Sequence, residues 1–211
     1  RPYQQSAIDA GLKYIRDPKL RGRNGIIVAP TGSGKSLVIA GIATQLDAPC
    51  VVFQPSKEIL EQNAAKLESY GYCPAIFSAS MGRRERGAIT LATIGTAINH
   101  AEAFKDFPYV LIDEAHVVSA KGGQYREFID MLDKARVVGL TATPFRLATN
   151  SFGSELRFLT RTSPRIFTDV VHVTQIKDLV QQGHWSPLHY DEISVLRKNN
   201  FWRVIQRVLG E

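Results

Sequence analysis

Ala29-Pro-Thr-Gly-Ser-Gly-Lys-Ser36 is the stretch of this 211-residue chain that decides its fold. An apolar, β-branched run, Gly25–Ala29, leads into it, and an apolar helical pattern, Ser36–Leu46, leads out of it. A strand, a glycine-rich turn ending in Lys-Ser and a helix form the arrangement in which a backbone wraps a polyphosphate. The stretch therefore predicts a phosphate-binding loop at the carboxyl end of a strand.

The residue types inside this loop suit that chemistry. Backbone N–H groups of such a loop hold phosphate oxygens, and the helix N-terminus adds a partial positive charge. Gly32 and Gly34 allow close approach because they have no Cβ. Lys35 is predicted to place a positive charge beside the outer phosphates, and Ser36 to offer a hydroxyl to a magnesium ion. The strict pattern has glycine where this chain has Ala29, and an ordinary turn with an incidental lysine is the alternative.

Short β-branched runs recur along the chain and alternate with helical patterns such as Lys57–Tyr70. The predicted strands are Gly25–Ala29, Cys50–Gln54, Pro74–Ser78, Ala88–Thr93, Tyr109–Asp113 and Arg136–Thr141. Near-continuous apolar strands alternating with helices are typical of a parallel sheet that is covered on both faces. We therefore expect an α/β fold with a central, mostly parallel sheet, and ligands beyond the carboxyl ends of its strands.

A pair of adjacent acids marks one of those strand ends. Asp113-Glu-Ala-His116 follows the apolar run Tyr109–Ile112. Because a carboxylate at the end of a buried strand must find a cation or a donor, Asp113 is predicted to be a magnesium partner. Glu114 is predicted to polarise an attacking water. His116 is interpreted as a sensor of the phosphate state rather than a proton-transfer group, and a solvated pair of acids is the alternative interpretation.

Composition sets further limits. The formal charge of +6 and the sequence pI of about 9.4 favour a polyanionic partner, although a solvated basic surface would give the same numbers. Cys50 and Cys73 form no Cys-x-x-Cys pair and the five histidines show no ligand spacing, so we expect no zinc site. No apolar run approaches the roughly 18 residues of a membrane span. These features predict a cytoplasmic protein with no membrane partner.

The order of these runs resembles the first RecA-like lobe of superfamily-two helicases of the DEAD/DEAH-box type. Arg1-Pro-Tyr-Gln4 is similar to the family's adenine-recognition segment, which implies nucleotide-binding roles for Arg1 and Gln4. Thr141-Ala-Thr-Pro144 is similar to the segment that couples hydrolysis to lobe movement, which implies that role for Thr141 and Thr143. The resemblance implies ATP and Mg²⁺ as cofactors.

Two other segments resemble the family's contacts with a nucleic-acid backbone. Pro55-Ser-Lys-Glu58 follows the second predicted strand, and Thr93-Ile-Gly-Thr96 follows the fourth. The resemblance implies a nucleic-acid partner, DNA in preference to RNA. The implied nucleic-acid contacts are Pro55, Ser56, Lys57, Thr93 and Thr96.

The predicted catalytic residues are Lys35, Asp113, Glu114 and His116. The predicted nucleotide-binding residues are Arg1, Gln4, Thr31, Gly32, Ser33, Gly34, Lys35 and Ser36. The predicted magnesium ligands are Ser36 and Asp113.

Within the superfamily, Gly139–Arg146 and Phe167–Leu188 most resemble RadD-type and type III restriction-like helicases, including phage-encoded relatives. We divide the chain into a RecA-like lobe at 1–147, the end of that lobe with an exit segment at 148–196, and the start of a missing or truncated second lobe at 197–211. The family's second lobe supplies an arginine finger, which is commonly worth about 10³–10⁵ in rate. No Gln-x-x-Gly-Arg-x-x-Arg pattern is found, so we expect this chain alone to bind nucleotide and hydrolyse it poorly.

The last third of the chain is the least patterned. Ala148–Arg165 is rich in Thr, Ser, Gly and Arg and is interpreted as an irregular excursion. Thr168–Val173 is predicted to be a strand, and Gln175–Gln182 a helix. Asn199–Leu209 is predicted to be a helix with an apolar stripe.

Three functions from different classes remain open on these residues. The first is an ATP-dependent helicase or translocase, including the motor subunit of a restriction-type translocase. The second is a P-loop kinase or other phosphotransferase, in which the Asp-Glu-Ala-His and Thr-Ala-Thr-Pro runs have no place. The third is a nucleic-acid-binding module that kept the fold and lost the chemistry.

Overall fold

The structure is a computed structural model that describes residues 1–132, 134–150 and 153–186. These residues fall into two compact units, which divide between Gln175 and Ile176. The predicted helix Asn199–Leu209 and the segment 197–211 lie outside the described residues. The chain division at 147 and 196 stays a prediction. No helix among the described residues is long and apolar enough to cross a membrane.

Ten strands and six α-helices form the described part of the chain. The strands are β1 Gly25–Val28, β2 Cys50–Phe53, β3 Ala75–Ser78, β4 Arg83–Arg84, β5 Ile89–Ala92, β6 Tyr109–Ile112, β7 Arg136–Thr141, β8 Phe145–Asn150, β9 Gly153–Phe158 and β10 Asp169–Val173. The helices are α1 Pro2–Arg16, α2 Lys35–Ala43, α3 Lys57–Ser69, α4 Ile94–Ala97, α5 Gln124–Met131 and α6 Ile176–Gln181. The six predicted strands and the helices predicted at 36–46, 57–70 and 175–182 are confirmed, with shifts of a few residues at their ends.

Eight of the strands form one sheet in the order β10-β1-β7-β6-β2-β5-β3-β4. All neighbours are parallel except β4, which runs antiparallel to β3 at the edge. This mostly parallel sheet confirms the predicted fold class. The carboxyl ends of β1, β7, β6 and β2 are consecutive along one edge, so the phosphate-loop, acid and Thr-Ala-Thr segments meet there.

Alternation along the strands divides the core between the two faces of the sheet. Ile27 and Val52 pack in the cluster that contains residues of α1, α2 and α3. Ile26 and Val51, one position earlier on the same strands, pack in the opposite cluster with Phe128 of α5. Successive side chains of a strand point to opposite faces, so strands that are apolar at every position need helices on both sides.

An ion-pair network attaches the edge strand β10 to the rest of the first unit. Asp169 accepts hydrogen bonds from Tyr14 Oη at 2.8 Å and from Arg23 Nε at 2.8 Å. Burial and the Asp169 hydrogen bond raise the pKa of Tyr14, so this phenol stays a donor at neutral pH. Burial opposes the ionisation of Asp169, but hydrogen bonds from Thr168, Arg23 and Tyr14 outweigh it and lower the pKa of this carboxyl. Helix α1 is thereby fixed beside β10, which pairs with β1, the strand that leads into the glycine-rich loop.

The prediction of an irregular excursion at Ala148–Arg165 is wrong. Strands β8 and β9 form an antiparallel hairpin there, in which Phe145 pairs with Phe158 and Leu147 with Leu156. The physical reason is a period of two in the sequence, since apolar residues at 145, 147, 156 and 158 flank Arg146 and Arg157. The high content of Thr, Ser and Gly between the two strands obscured that alternation.

Candidate nucleotide-binding site

The glycine-rich loop lies between β1 and α2, at the positions that the sequence predicts. Gly32 and Gly34 have φ of 80° and 84°, in the left-handed region that residues with a Cβ rarely adopt. Ser33 closes the turn, because its N–H and its hydroxyl both donate to the Pro30 carbonyl, at 3.1 and 2.6 Å. Thr31 lies exposed beside Gly32. Two positive-φ glycines and a helix that begins at once leave the backbone free to surround an anion.

The first residues of α2 complete this loop. Helix α2 begins at Lys35, so the N–H groups of Lys35 and Ser36 have no acceptor within the helix, whereas the Leu37 N–H already donates to the Gly34 carbonyl at 2.9 Å. The Lys35 side chain is only 9% exposed and its Nζ lies 3.1 Å from Glu114 Oε1. The structure therefore brings together Lys35 and Glu114, which are separated by 79 positions of sequence, as the predicted site requires.

The acid pair stands on the adjoining strand end. Asp113 is buried and its N–H donates to the Phe53 carbonyl at 3.0 Å, which continues the β6–β2 pairing. Asp113 Oδ1 accepts from the Glu114 N–H at 2.9 Å. Glu114 has φ 50° and ψ 50°, a left-handed conformation that is uncommon outside glycine. This turn directs the Glu114 carboxylate toward Lys35.

His116 connects the acids to the third motif. Its Nδ1 lies 3.2 Å from Glu114 Oε2 and 3.0 Å from Thr141 Oγ1. The Thr141 hydroxyl also accepts from the Thr143 N–H at 3.1 Å. A continuous polar chain therefore runs from Lys35 through the Glu114 carboxylate and the imidazole to the Thr-Ala-Thr segment.

Burial dominates the electrostatics of Asp113. Desolvation, with a smaller contribution from the neighbouring Glu114 charge, raises the pKa of Asp113 to about 6, while the Glu114 N–H and Lys35 oppose the rise. Burial and the Asp113 charge together raise the pKa of Tyr125 to about 12. An acid that ionises reluctantly in the absence of a cation is suited to bind one.

A stability prediction follows from this pKa. A carboxyl whose folded-state pKa of about 6 exceeds its ordinary value of 3.8 stabilises the fold below pH 4 and loses that contribution as pH rises through 6. Asp113→Asn should therefore raise the free energy of unfolding at pH 7.5 by about 1–3 kcal/mol, with the gain shrinking toward pH 4.5. Denaturant unfolding without nucleotide or magnesium measures this. Asp9→Asn, at an exposed acid, is the matched control, and a less stable Asp113→Asn protein at pH 7.5 would contradict the prediction.

The N-terminal segment packs against the loop. Gln4 Nε2 donates to the Ser33 carbonyl at 2.8 Å, and the backbone nitrogen of Arg1 donates to Gln4 Oε1 at 3.2 Å. Tyr3 Oη donates to the same Ser33 carbonyl at 3.0 Å. A Cβ on Gly34 would lie 2.4 Å from Gln4 Nε2, so glycine is needed for this contact. Sequence reasoning selected Gln4 and Arg1 but missed Tyr3.

Ser36 and Asp113 remain the predicted magnesium ligands. Among the described residues no group of three or more His, Cys, Asp or Glu side chains could hold a metal ion. Mg²⁺ is commonly held by one or two carboxylates, with phosphate oxygens and waters filling the other positions. A buried carboxylate and a hydroxyl beside a phosphate loop fit that requirement. Lys66 Nζ donates to Ser36 Oγ at 3.2 Å, a contact that the sequence did not predict.

The predicted nucleic-acid residues lie at the ends of β2 and β5, which are neighbours in the sheet. Ser56 caps α3, since its hydroxyl accepts from the Ile59 N–H at 3.3 Å. Lys57 is exposed and pairs with Glu61 at 3.6 Å. Pro55 is exposed next to them.

Hydroxyl groups dominate the end of β5. Thr93 Oγ1 lies 3.1 Å from Thr96 Oγ1, which also accepts from the Ala79 N–H at 2.9 Å. Thr93 donates to Ser78 Oγ at 3.3 Å, and Ser78 lies 2.9 Å from the exposed Ser80 hydroxyl. Thr96 is thus buried and fixes the loop after β3. Sequence reasoning missed these two serines, although the Ser-Ala-Ser run at the end of a predicted strand was a visible signal.

Comparisons with known proteins agree with this architecture. A family model described as "Type III restriction enzyme, res subunit" matches residues 1–146. The DNA 3'-5' translocase XPB2 of Sulfurisphaera tokodaii is 30% identical over 148 residues, which are 69% of this chain and 31% of the relative. The chain thus spans less than a third of that relative.

Two solved structures share the fold. The UvsW helicase from bacteriophage T4 has a TM-score of 0.55 at 21% identity, over 68% of this chain and 52% of that one. A nuclease-deletion mutant of the Type ISP restriction-modification enzyme LlaGI, in complex with a DNA substrate mimic, has a TM-score of 0.61 at 14% identity, over 88% of this chain and 21% of that one. At these identities the likeness establishes the fold alone, which is the mostly parallel RecA-like sheet that the sequence predicts.

Proposed function

Because the chain belongs to the family of the type III restriction enzyme res subunit, we propose that it is the ATP-hydrolysing motor lobe of a DNA helicase or translocase. The observation that carries the proposal is the polar chain that links Lys35, Glu114, His116 and Thr141. This chain of contacts joins the proposed phosphate loop to the Thr141–Thr143 segment at the edge of the sheet. A motor needs such a connection to couple ATP hydrolysis to lobe movement.

The chemistry assigned to the site is hydrolysis of the terminal phosphate of ATP. The loop from Thr31 to Gly34 and the N-terminus of α2 bind the phosphate chain, and Lys35 offsets its negative charge. Asp113 and the Ser36 hydroxyl would hold Mg²⁺, which when bound neutralises the charge that develops on the phosphate oxygens. Gln4 and Arg1 are the proposed adenine contacts.

Glu114 is the proposed base that orients and deprotonates the attacking water. In the structure its carboxylate is held between the ammonium of Lys35 and the imidazole of His116. When Lys35 turns to a phosphate, Glu114 loses that partner and becomes available to a water. His116 contacts both this carboxylate and Thr141, so the rearrangement reaches Thr141 and Thr143, the proposed coupling residues.

The proposed nucleic-acid track crosses the neighbouring ends of β2, β5 and β3. Lys57 supplies a positive charge for the phosphate backbone. Ser56, Thr93 and Thr96 supply hydroxyl groups, and Pro55 shapes the surface beside them. DNA is the proposed partner, because XPB2 is a DNA translocase by name and LlaGI was solved with a DNA substrate mimic. A second RecA-like lobe, outside this chain, is proposed to complete the site with arginines.

We expect DNA binding to depend steeply on salt and little on base sequence. Contacts with the phosphate backbone release counterions, so the logarithm of affinity falls linearly with the logarithm of salt concentration. Lys57→Ala should weaken binding uniformly across sequences and reduce that slope by about 1. Fluorescence anisotropy at several salt concentrations measures both, with Lys13→Ala at the exposed surface of α1 as the matched control. A slope unchanged by Lys57→Ala would remove this residue from the track.

ATP hydrolysis by the full-length protein that contains this chain tests the proposal as a whole. A helicase or translocase should hydrolyse ATP faster with DNA than without it, and faster with DNA than with RNA. A non-catalytic module would bind DNA without turnover, and a phosphotransferase would require a small-molecule acceptor. Either of those results would overturn the proposed motor function.

A further inference from the structure

A half-buried lysine of α3 reaches the phosphate loop from outside the motifs. Lys66 lies near the end of α3, and its Nζ donates to Ser36 Oγ in the first turn of α2. The two helices pack side by side on one face of the sheet, where Leu67 and Ile39 belong to the same core cluster. In the part of the chain that the structure describes, no carboxylate forms an ion pair with Lys66, and its ammonium donates its hydrogen bond to the Ser36 hydroxyl.

Neighbouring polar groups hold α3 in this position. Asn63 lies one turn before Lys66, and its Nδ2 donates to Gln54 Oε1 at 2.8 Å. Gln54 is 2% exposed, and its Nε2 has no acceptor among the described residues. These side chains and Ser36 line one narrow cleft between α2 and α3. The hydrogen bond between Asn63 and the buried Gln54 fixes the position of α3, and this keeps Lys66 directed at the Ser36 hydroxyl.

The consequence depends on the proposed function, in which Ser36 is a magnesium ligand. A hydroxyl oxygen has two lone pairs, and the ammonium of Lys66 occupies one of them. A divalent cation on the same oxygen would then lie close to a positive charge in a partly buried site, where like charges repel more strongly than in water. The lysine contact and the magnesium contact therefore oppose each other.

We propose that Lys66 competes with magnesium for the Ser36 hydroxyl and so sets how strongly Mg²⁺ promotes nucleotide binding. Without nucleotide, Lys66 holds the hydroxyl on the α3 side. Binding of the magnesium–nucleotide complex breaks this hydrogen bond. Lys66 is thus a positioning residue, because it acts through Ser36.

Nucleotide binding with and without Mg²⁺ tests this proposal directly. The dissociation constant of a fluorescent ADP analogue is measured in excess EDTA and in excess MgCl₂. The constant in EDTA divided by the constant in MgCl₂ reports how strongly magnesium promotes binding. Lys66→Met removes the charge and the donor while keeping a side chain of similar length. It should raise the ratio about tenfold, the size expected for losing one hydrogen bond from a charged group. Lys66→Gln, which also removes the charge, should raise the ratio in the same direction.

Two further variants sharpen the result. Lys66→Arg keeps the charge and should leave the ratio close to that of the unmodified protein, and Lys13→Met controls for loss of a surface lysine. An unchanged or lower ratio in both Lys66→Met and Lys66→Gln, with nucleotide still bound, would overturn this proposal alone. Failure of the unmodified protein to bind nucleotide under either condition would instead overturn the proposed function, and this inference with it.

Discussion

Lys35→Ala should abolish nucleotide binding. Lys35 is the buried cation of the phosphate loop, and its ammonium is the group that neutralises the outer phosphates in the proposed site. Losing a desolvated, charge-assisted contact with a polyphosphate is expected to weaken affinity by at least about 100-fold. Isothermal titration with ADP or a non-hydrolysable ATP analogue, in the presence of Mg²⁺, measures the change.

A folding defect must be separated from this result. Lys35 also forms an ion pair with Glu114. The variant therefore leaves the Glu114 carboxylate in contact with His116 but without the lysine. Thermal unfolding of Lys35→Ala without nucleotide therefore accompanies the titration. Lys13→Ala, at an exposed position of α1, should bind nucleotide normally. If a folded Lys35→Ala protein bound nucleotide with undiminished affinity, the loop would have no role as a phosphate site.

Glu114→Gln should separate binding from hydrolysis. The amide keeps the size of the side chain but cannot accept a proton from water, and general-base catalysis typically contributes about 10²–10⁴ in rate. We expect ATP affinity within a few-fold of the unmodified protein, and DNA-stimulated turnover in the full-length protein lower by about 10³. Filter-binding of ATP and release of inorganic phosphate measure the two quantities.

Asp113→Asn and Glu127→Gln are useful comparisons for this variant. Asp113→Asn removes the proposed magnesium ligand and should weaken magnesium-dependent binding, which Glu114→Gln should leave intact. Glu127→Gln changes an acid of α5, outside the site, and should turn over ATP normally. Normal turnover by Glu114→Gln would remove the assigned role of this residue and require another base.

The sequence predicted the sheet because its strands are buried on both faces. Cys50–Phe53 and Tyr109–Ile112 carry no charged residue, and Gln54 and Asp113 directly follow them. The same property located the site, since Lys35, Glu114 and Thr141 each stand near the end of such a run. The residues of the proposed site lie directly at or after the strand ends, where a sequence pattern can locate them.

Contacts between helices were beyond the reach of those patterns. Tyr3 and Lys66 reach the loop through long side chains from α1 and α3. The Arg1–Gln4 motif assigned no role to Tyr3, and nothing in the sequence around Lys66 distinguishes it from a solvated residue. Their partners are fixed by how the helices pack on the sheet, which depends on the whole core. The β8–β9 hairpin was missed for a different reason, because its apolar alternation is short and is interrupted by turn-forming residues.

A crystal structure with Mg²⁺ and a non-hydrolysable ATP analogue tests the convergence of Lys35 and Asp113 on one nucleotide. We predict that Lys35 Nζ leaves Glu114, from which it lies 3.1 Å here, and contacts a phosphate oxygen. Asp113 and Ser36 should then lie around one magnesium ion, bound directly or through its waters. A cleft left empty at saturating analogue, or a nucleotide bound elsewhere while Lys35 stays on Glu114, would contradict the proposed motor site.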